Sequence, residues 1–173
     1  MKICFSGLQG SGKTTLVEEI RKLPQFAHYI FHTNVVRNLM KEGIPINELG
    51  TEQTQIAVMA KHLQNSIHEN AIFDRCSLDC ISYTDYLMFD QKILDTQTYL
   101  ALLNIHAYLM EQYDRIFYLE PEFPVVDDGV RSKDEKFYNA VKTYFEHRIK
   151  DRPKVIVLKG SIKERLDILL KNI

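Results

Sequence analysis

The chain has 173 residues, 45% hydrophobic and 26% charged, the proportions of an ordinary globular domain, which exclude a disordered, collagen-like or fibrous protein. With 22 Lys and Arg against 23 Asp and Glu the net charge is −1. The basic excess of a non-specific nucleic-acid or membrane-surface binder is missing, so any anion must be held by a local cluster of donors. The length fits a single domain across residues 1–173.

Five short apolar runs read as strands in chain order: Lys2–Ser6, Tyr29–Thr33, Ala71–Asp74, Arg115–Leu119 and Lys154–Leu158. Most are continuous rather than alternating, as in strands buried on both faces of a parallel sheet. Helical patterns lie between them. Lys13–Lys22 follows the first strand. In Thr51–Asn70, Ile56, Met59, Leu63 and Ile67 recur at spacings of three and four and predict one buried helix face. Leu78–Phe89 and Thr96–Tyr113 are apolar at helical spacing, the second through Tyr99, Leu102, Leu103, His106, Leu109 and Met110. The last helix opens with Ser161 and Glu164, a capping box. Strands alternating with helices predict an α/β fold, a three-layer α/β/α sandwich around a parallel sheet.

The three cysteines, Cys4, Cys76 and Cys80, are an odd number without metal-ligand spacing. They are expected as free thiols in a reducing, cytoplasmic setting. The N-terminal apolar run breaks at a glycine, and no run approaches the roughly 20 residues that span a bilayer, so no membrane partner is expected.

The loop after the first strand reads Gly7-Leu8-Gln9-Gly10-Ser11-Gly12-Lys13-Thr14, a full G-x-x-x-x-G-K-T. Glycines at 7, 10 and 12 let the backbone curl so that successive N–H groups, Ser11 among them, point at phosphate oxygens. The helix that follows aims its positive end at the same place. Lys13 is placed to reach the β- and γ-phosphates of ATP, and Thr14 to ligate Mg²⁺. Thr15 joins them as a nucleotide-binding residue. The guanine-reading N-K-x-D of Ras-type GTPases is absent, as is a transporter signature, and the length is short of a ring-forming ATPase with its extra helical domain. A small kinase remains, with ATP on the loop and a phosphoryl acceptor in a second pocket.

The third strand ends in Asp74-Arg75. A carboxylate at the C-terminal end of a strand beside the phosphate loop lies where ligands of such sheets bind. There it can hold hydrated Mg²⁺ or accept the proton of an acceptor hydroxyl, while Arg75 can hold a phosphate or steady the acceptor. Asp79 and Tyr83, four apart, either face the same cleft or pack. After the fourth strand, two prolines and Gly129 mark a loop that leads into a lid region over about residues 121–150. Arg131, Lys133 and Lys136 begin a helix expected to run to about Arg148. Arg131 is the candidate for stabilising charge on the transferring phosphoryl group, and Asp127 or Asp128 for orienting it or binding acceptor hydroxyls. Arg37, after strand two, is a further acceptor candidate. The six histidines show no ligand spacing, and His106 is expected in the core.

GLQGSGKTT, FDRCSLDCISY and VVDDGVR together resemble the small P-loop kinase family that includes the nicotinamide riboside kinase domain and phage nucleotide kinases. The resemblance spans the P-loop to about Arg131. It implies a five-stranded parallel sheet ordered 2-3-1-4-5, ATP with Mg²⁺, and a nucleoside or nucleotide acceptor. It also implies that Asp74 is the Mg²⁺-linked or basic carboxylate and Arg131 a lid arginine. One departure is Asn34 before Arg37, where the family usually carries a Glu; an Asn cannot act as a base. The expected activity is phosphoryl transfer from ATP to a small nucleoside or nucleotide, a deoxynucleoside monophosphate or modified pyrimidine nucleotide being favoured, with Arg75, Arg37 and Asp128 as acceptor contacts. The alternatives are a kinase acting on a hydroxyl in DNA or RNA, which the charge balance disfavours, and a P-loop ATPase or switch.

Overall fold

Successive side chains of a strand point to opposite faces, and in the first strand both faces are covered. Ile3 and Phe5 pack into one apolar cluster and Cys4 into another, so the run reads as continuously hydrophobic. The computed structural model describes residues 1–122, 132 and 134–173. Its strands are β1 (Lys2–Ser6), β2 (Ile30–His32), β3 (Ala71–Asp74), β4 (Arg115–Leu119) and β5 (Val155–Leu158). They form one parallel sheet ordered β2-β3-β1-β4-β5, as expected. The helices are α1 (Lys13–Arg21), α2 (Val35–Lys41), α3 (Glu52–Asn65), α4 (Ser77–Asp85), α5 (Thr96–Gln112), α6 (Glu135–Ile149) and α7 (Ile162–Leu170). No helix among the described residues is long and apolar enough to cross a membrane.

Two cores flank the sheet. On one side Leu16, Val17 and Ile20 of α1 and Leu169 of α7 bury against Ile3, Phe5 and Phe117. On the other, α2 to α6 cover Cys4, Phe73, Ile116 and Tyr118. Each such aliphatic side chain removed from water contributes roughly 1.5–3 kcal/mol. Helices α4, α5 and α6 are pinned together by one buried carboxylate. Arg148 donates from Nε and Nη2 to the two oxygens of Asp85 at 2.7 and 2.6 Å, and the Tyr99 hydroxyl donates to Asp85 at 2.8 Å. His106 is buried as expected, paired with the Ser77 hydroxyl at 3.0 Å. The three cysteines are free and buried.

The departures from the sequence reading have local causes. Helix α3 stops at Asn65 rather than Asn70, because the Ser66 amide and hydroxyl turn back onto the His62 and Leu63 carbonyls. That frees Asn70, whose carbonyl accepts from Ile30 N and whose side chain accepts from the N-terminal amine. More consequential is the phase of α3. Of the expected apolar stripe only Met59 is buried; Ile56, Leu63 and Ile67 are exposed, and the inward face is Thr54, Gln55, Val58, Met59 and His62. Helix α6 starts at Glu135, later than expected, behind an N-cap Asp134 whose carboxylate accepts from Lys136 N and Phe137 N. That acid meets the positive end of the helix dipole. Arg131, the expected lid arginine, and Asp127, Asp128 and Lys133 lie outside the described residues.

Candidate active site

The phosphate loop leaves β1 through Gly7 at φ 139°, and a Cβ there would stand 2.6 Å from the Leu119 carbonyl of β4. Only glycine lets the loop pass that close. Gly12, at φ 84°, is the left-handed residue from which α1 starts. Lys13 is buried, its ammonium donating to the carbonyls of Gly7 and Leu8 at 2.7 and 2.6 Å and to the Ser11 hydroxyl at 3.0 Å. The carbonyls hold the ammonium at the loop, where a polyphosphate can take it over as a charge-assisted donor alongside the N–H groups at the start of α1. From α7 a fully buried guanidinium supports the loop from behind: Arg165 donates to the Ser11 carbonyl and, at 2.6 Å, to Glu122 after β4. Gln9 and Ser132 exchange a reciprocal pair, side-chain amide to carbonyl at 2.8 Å and backbone N–H to side-chain oxygen at 3.0 Å. Neither Arg165 nor Gln9 carried a signal beyond its residue type.

Asp74 ends β3 next to β1, paired across from Phe5, which sets its side chain beside the loop. Its Oδ2 accepts from the Thr14 hydroxyl at 2.8 Å, so the two residues singled out for a cation are joined. Mg²⁺ takes hard oxygen ligands, retains several waters and is usually held by one or two protein oxygens together with substrate phosphates. A hydroxyl beside a carboxylate at the mouth of a phosphate loop fits that preference. Among the described residues no cluster of three or more His, Cys, Asp or Glu forms an all-protein metal cage.

Arg75 takes a left-handed backbone, φ 84°, which for a bulky residue costs about 1–3 kcal/mol. The sharp turn still leaves its N–H bonded to the Phe5 carbonyl at 2.9 Å. The guanidinium donates to Asp79 at 3.0 Å, and Tyr83 lies close enough to interact with it. Asp79 is itself buried: Oδ2 accepts from Cys76 N at 3.2 Å, closing a capping box at the start of α4, and Oδ1 lies 3.4 Å from Gly7 N. Thus α4, the cationic side chain and the start of the phosphate loop share one carboxylate. Burial raises the Tyr83 pKa although Arg75 opposes the shift, so Tyr83 remains a protonated hydroxyl.

A cavity of about 140 Å³ extends from the phosphate loop past Asp74, Arg75 and Asp79 to α2 and α3. Expected site residues Gly10, Ser11, Gly12, Lys13, Thr14 and Thr15 line its phosphate end, and Arg37 of α2 reaches its far wall. Asn34 occupies the left-handed region at φ 61° at the start of α2, a conformation that Asn tolerates and a Glu resists. Missing from the sequence reading were Thr54, Gln55 and His62 of α3, which line the same cavity.

A family model described as an AAA domain matches residues 2–165, and the chain belongs to that family. No curated protein matches it by sequence. Among solved structures, a deoxyadenosine kinase from M. mycoides with products dCMP and dCDP bound is similar at TM-score 0.68 and 20% identity, over 99% of this chain and 97% of that one. A NadR protein in complex with NR reaches TM-score 0.72 at 15% identity over 99% of this chain, which spans about half (51%) of that protein. Thymidylate kinase from Candida albicans matches at TM-score 0.60 and 19% identity, over 98% of this chain and 89% of that one. The fold is therefore that of the small P-loop nucleoside and nucleotide kinases.

Proposed function

We propose that the protein is an ATP- and Mg²⁺-dependent phosphotransferase whose acceptor is a small nucleoside or nucleotide, a deoxynucleoside monophosphate or modified pyrimidine nucleotide being the favoured class. The observation that carries this reading is the single cavity running from the phosphate loop, past the joined Thr14 and Asp74, to a pocket holding Arg75 and Arg37. Donor and acceptor sites thus meet at one carboxylate-arginine pair. The three similar structures named above, two of them nucleoside or nucleotide kinases by name, point the same way.

The loop amides and Lys13 bind the β- and γ-phosphates and oppose the charge that develops as the γ-phosphoryl group leaves. Thr14 and Asp74 would hold Mg²⁺, which when bound would neutralise phosphate charge. Arg75, fixed by Asp79, orients the acceptor so that its oxygen lies in line with the leaving ADP. Arg131, outside the described residues, stays the candidate for meeting charge on the γ-phosphoryl group. Phosphorus gains a bond to the acceptor oxygen and loses its bond to the β-phosphate oxygen, releasing ADP; a hydroxyl acceptor gives up its proton to solvent, whereas an ionised monophosphate oxygen has none to lose.

The test is transfer of label from γ-labelled ATP to a panel of nucleosides, nucleoside monophosphates and short oligonucleotides. Label is expected on a free nucleoside or monophosphate. Transfer to oligonucleotides only, or hydrolysis that no acceptor diverts, overturns the proposal.

A further inference from the structure

The inward face of α3 carries an imidazole whose polar atoms are left without partners. His62 is 1% exposed and lines the cavity. Neither Nδ1 nor Nε2 meets a hydrogen-bond partner among the described residues. His106, comparably buried, has the Ser77 hydroxyl. A buried polar group without a partner costs about 1–3 kcal/mol, and an aliphatic side chain at this position, like Met59 one turn back, avoids that cost. The sequence keeps the imidazole where packing alone argues against it, on a wall that faces ligand.

The chemistry of the ring narrows what it meets. Burial, reinforced by the nearby charge of Arg75 and by His32, lowers its pKa to about 3. At neutral pH it is therefore uncharged and offers one N–H donor and one lone pair. The cations of the pocket, Arg75 and Arg37, are the groups suited to an anion, whereas a phosphate or carboxylate against this ring would meet its lone pair as well as its N–H, so that half the ring's hydrogen-bonding capacity is mismatched. Val36, Ile46 and Val58 line the same cavity and give apolar surface that suits the faces of a flat ring.

We infer that His62 is the specificity-determining residue of the acceptor pocket, hydrogen-bonding the uncharged polar edge of the acceptor's nucleobase. This rests on the reading that the acceptor is a nucleoside or nucleotide. The acceptors favoured are those whose base presents a ring nitrogen, oxo or amino group to the imidazole. A base stripped of that edge leaves the ring as unsatisfied in the complex as it is in the free protein.

The experiment compares the wild type with His62→Leu and His62→Gln on matched deoxynucleosides and their monophosphates that keep or lack one exocyclic oxo or amino group. In parallel, the ring signals of ¹⁵N-histidine-labelled protein are followed as each compound is added without ATP. Leu at 62 is expected to lower kcat/KM for the preferred acceptor by about 10–100-fold, mainly through the acceptor KM. The stripped analogue should be nearly unaffected and the KM for ATP unmoved. Gln, with both donor and acceptor, recovers part of the loss, and the Leu variant melts at the same temperature or higher. In the wild type the His62 signals shift on binding. Equal losses for intact and stripped acceptors overturn the inference, as does a ring signal that no bound compound moves. Should the wild type phosphorylate none of the panel, the proposed function fails, and the ring signals still decide the matter: silence with every compound sinks His62 as a base reader.

Discussion

The two ends of the cavity are built on different principles. At the phosphate end the recognising groups are mostly backbone: amides of a loop whose path is dictated by Gly7 and Gly12, with Lys13 folded among its carbonyls. At the end proposed for the acceptor the lining groups are side chains, Arg75, Arg37, Gln55 and His62, projected from α2, α3 and a strained strand end. A backbone site demands particular residue types at fixed spacing and leaves a motif. A side-chain site tolerates many residue types at each position, so that one cradle can serve different acceptors.

The largest effect should come from the backbone end. Lys13→Ala removes the charge that meets the transferring group and is expected to lower kcat about 10³-fold with any acceptor, measured by steady-state phosphate transfer. Turnover left intact would refute the site assignment. Arg75→Ala should act differently. Loss of the guanidinium frees Asp79 and misplaces the acceptor, so kcat/KM for the acceptor falls by about 10²-fold, while the KM for ATP stays within about twofold of the wild type. A matching rise in the KM for ATP would show that the two ends are not separable.

This division also explains what the sequence disclosed. The five strands, the three layers, the cap of α7 and the phosphate loop were legible because continuous apolar runs and glycine spacing are local consequences of burial and of left-handed backbone. The strand order β2-β3-β1-β4-β5 came only through the family resemblance, since no local pattern says which strands pair. The orientation of α3 was not legible. Ile56, Met59, Leu63 and Ile67 make the more apolar stripe, yet the helix turns Thr54, Gln55 and His62 inward beside Val58 and Met59, because on that side it walls a cavity as well as sealing a core. Burial alone would have chosen the other face. Arg75 was recognisable as a candidate, but its positive φ and its hold on Asp79 were not, since nothing in an Asp-Arg pair announces a left-handed turn. Arg165 was invisible for a related reason. A cation on a short C-terminal helix reads as a solvated residue until β4 and the phosphate loop are seen to close over it.

A smaller effect separates the two buried histidines from ordinary ones. His62 and His106 both have pKa values lowered to about 3, chiefly by burial, against an ordinary 6.5. Between those limits the unfolded chain binds protons that the folded chain does not. Stability is therefore fully present above 6.5 and is lost as pH falls towards 3, by up to about 1.4 kcal/mol per pH unit for each ring. Urea midpoints between about pH 7.5 and pH 4.5 should fall accordingly, and His106→Gln should flatten part of the slope, His62 and the likewise lowered His32 keeping the rest, without changing acceptor preference. An unchanged slope would mean that His106 titrates freely.

The smallest effect tests the phase of α3 directly. Met59 is fully buried while Ile67, just beyond the helix, is 72% exposed, although both belong to the same apolar stripe in the sequence. Met59→Ala leaves a cavity beneath the sheet and should cost about 2–4 kcal/mol. Ile67→Lys removes apolar surface already in contact with water and should move stability by no more than about 0.5 kcal/mol. The pair is read from denaturant midpoints at constant m-value. A large loss at Ile67, equal to that at Met59, would mean that the stripe is covered after all. The polar face carrying His62 would then no longer be the one the fold turns towards the ligand.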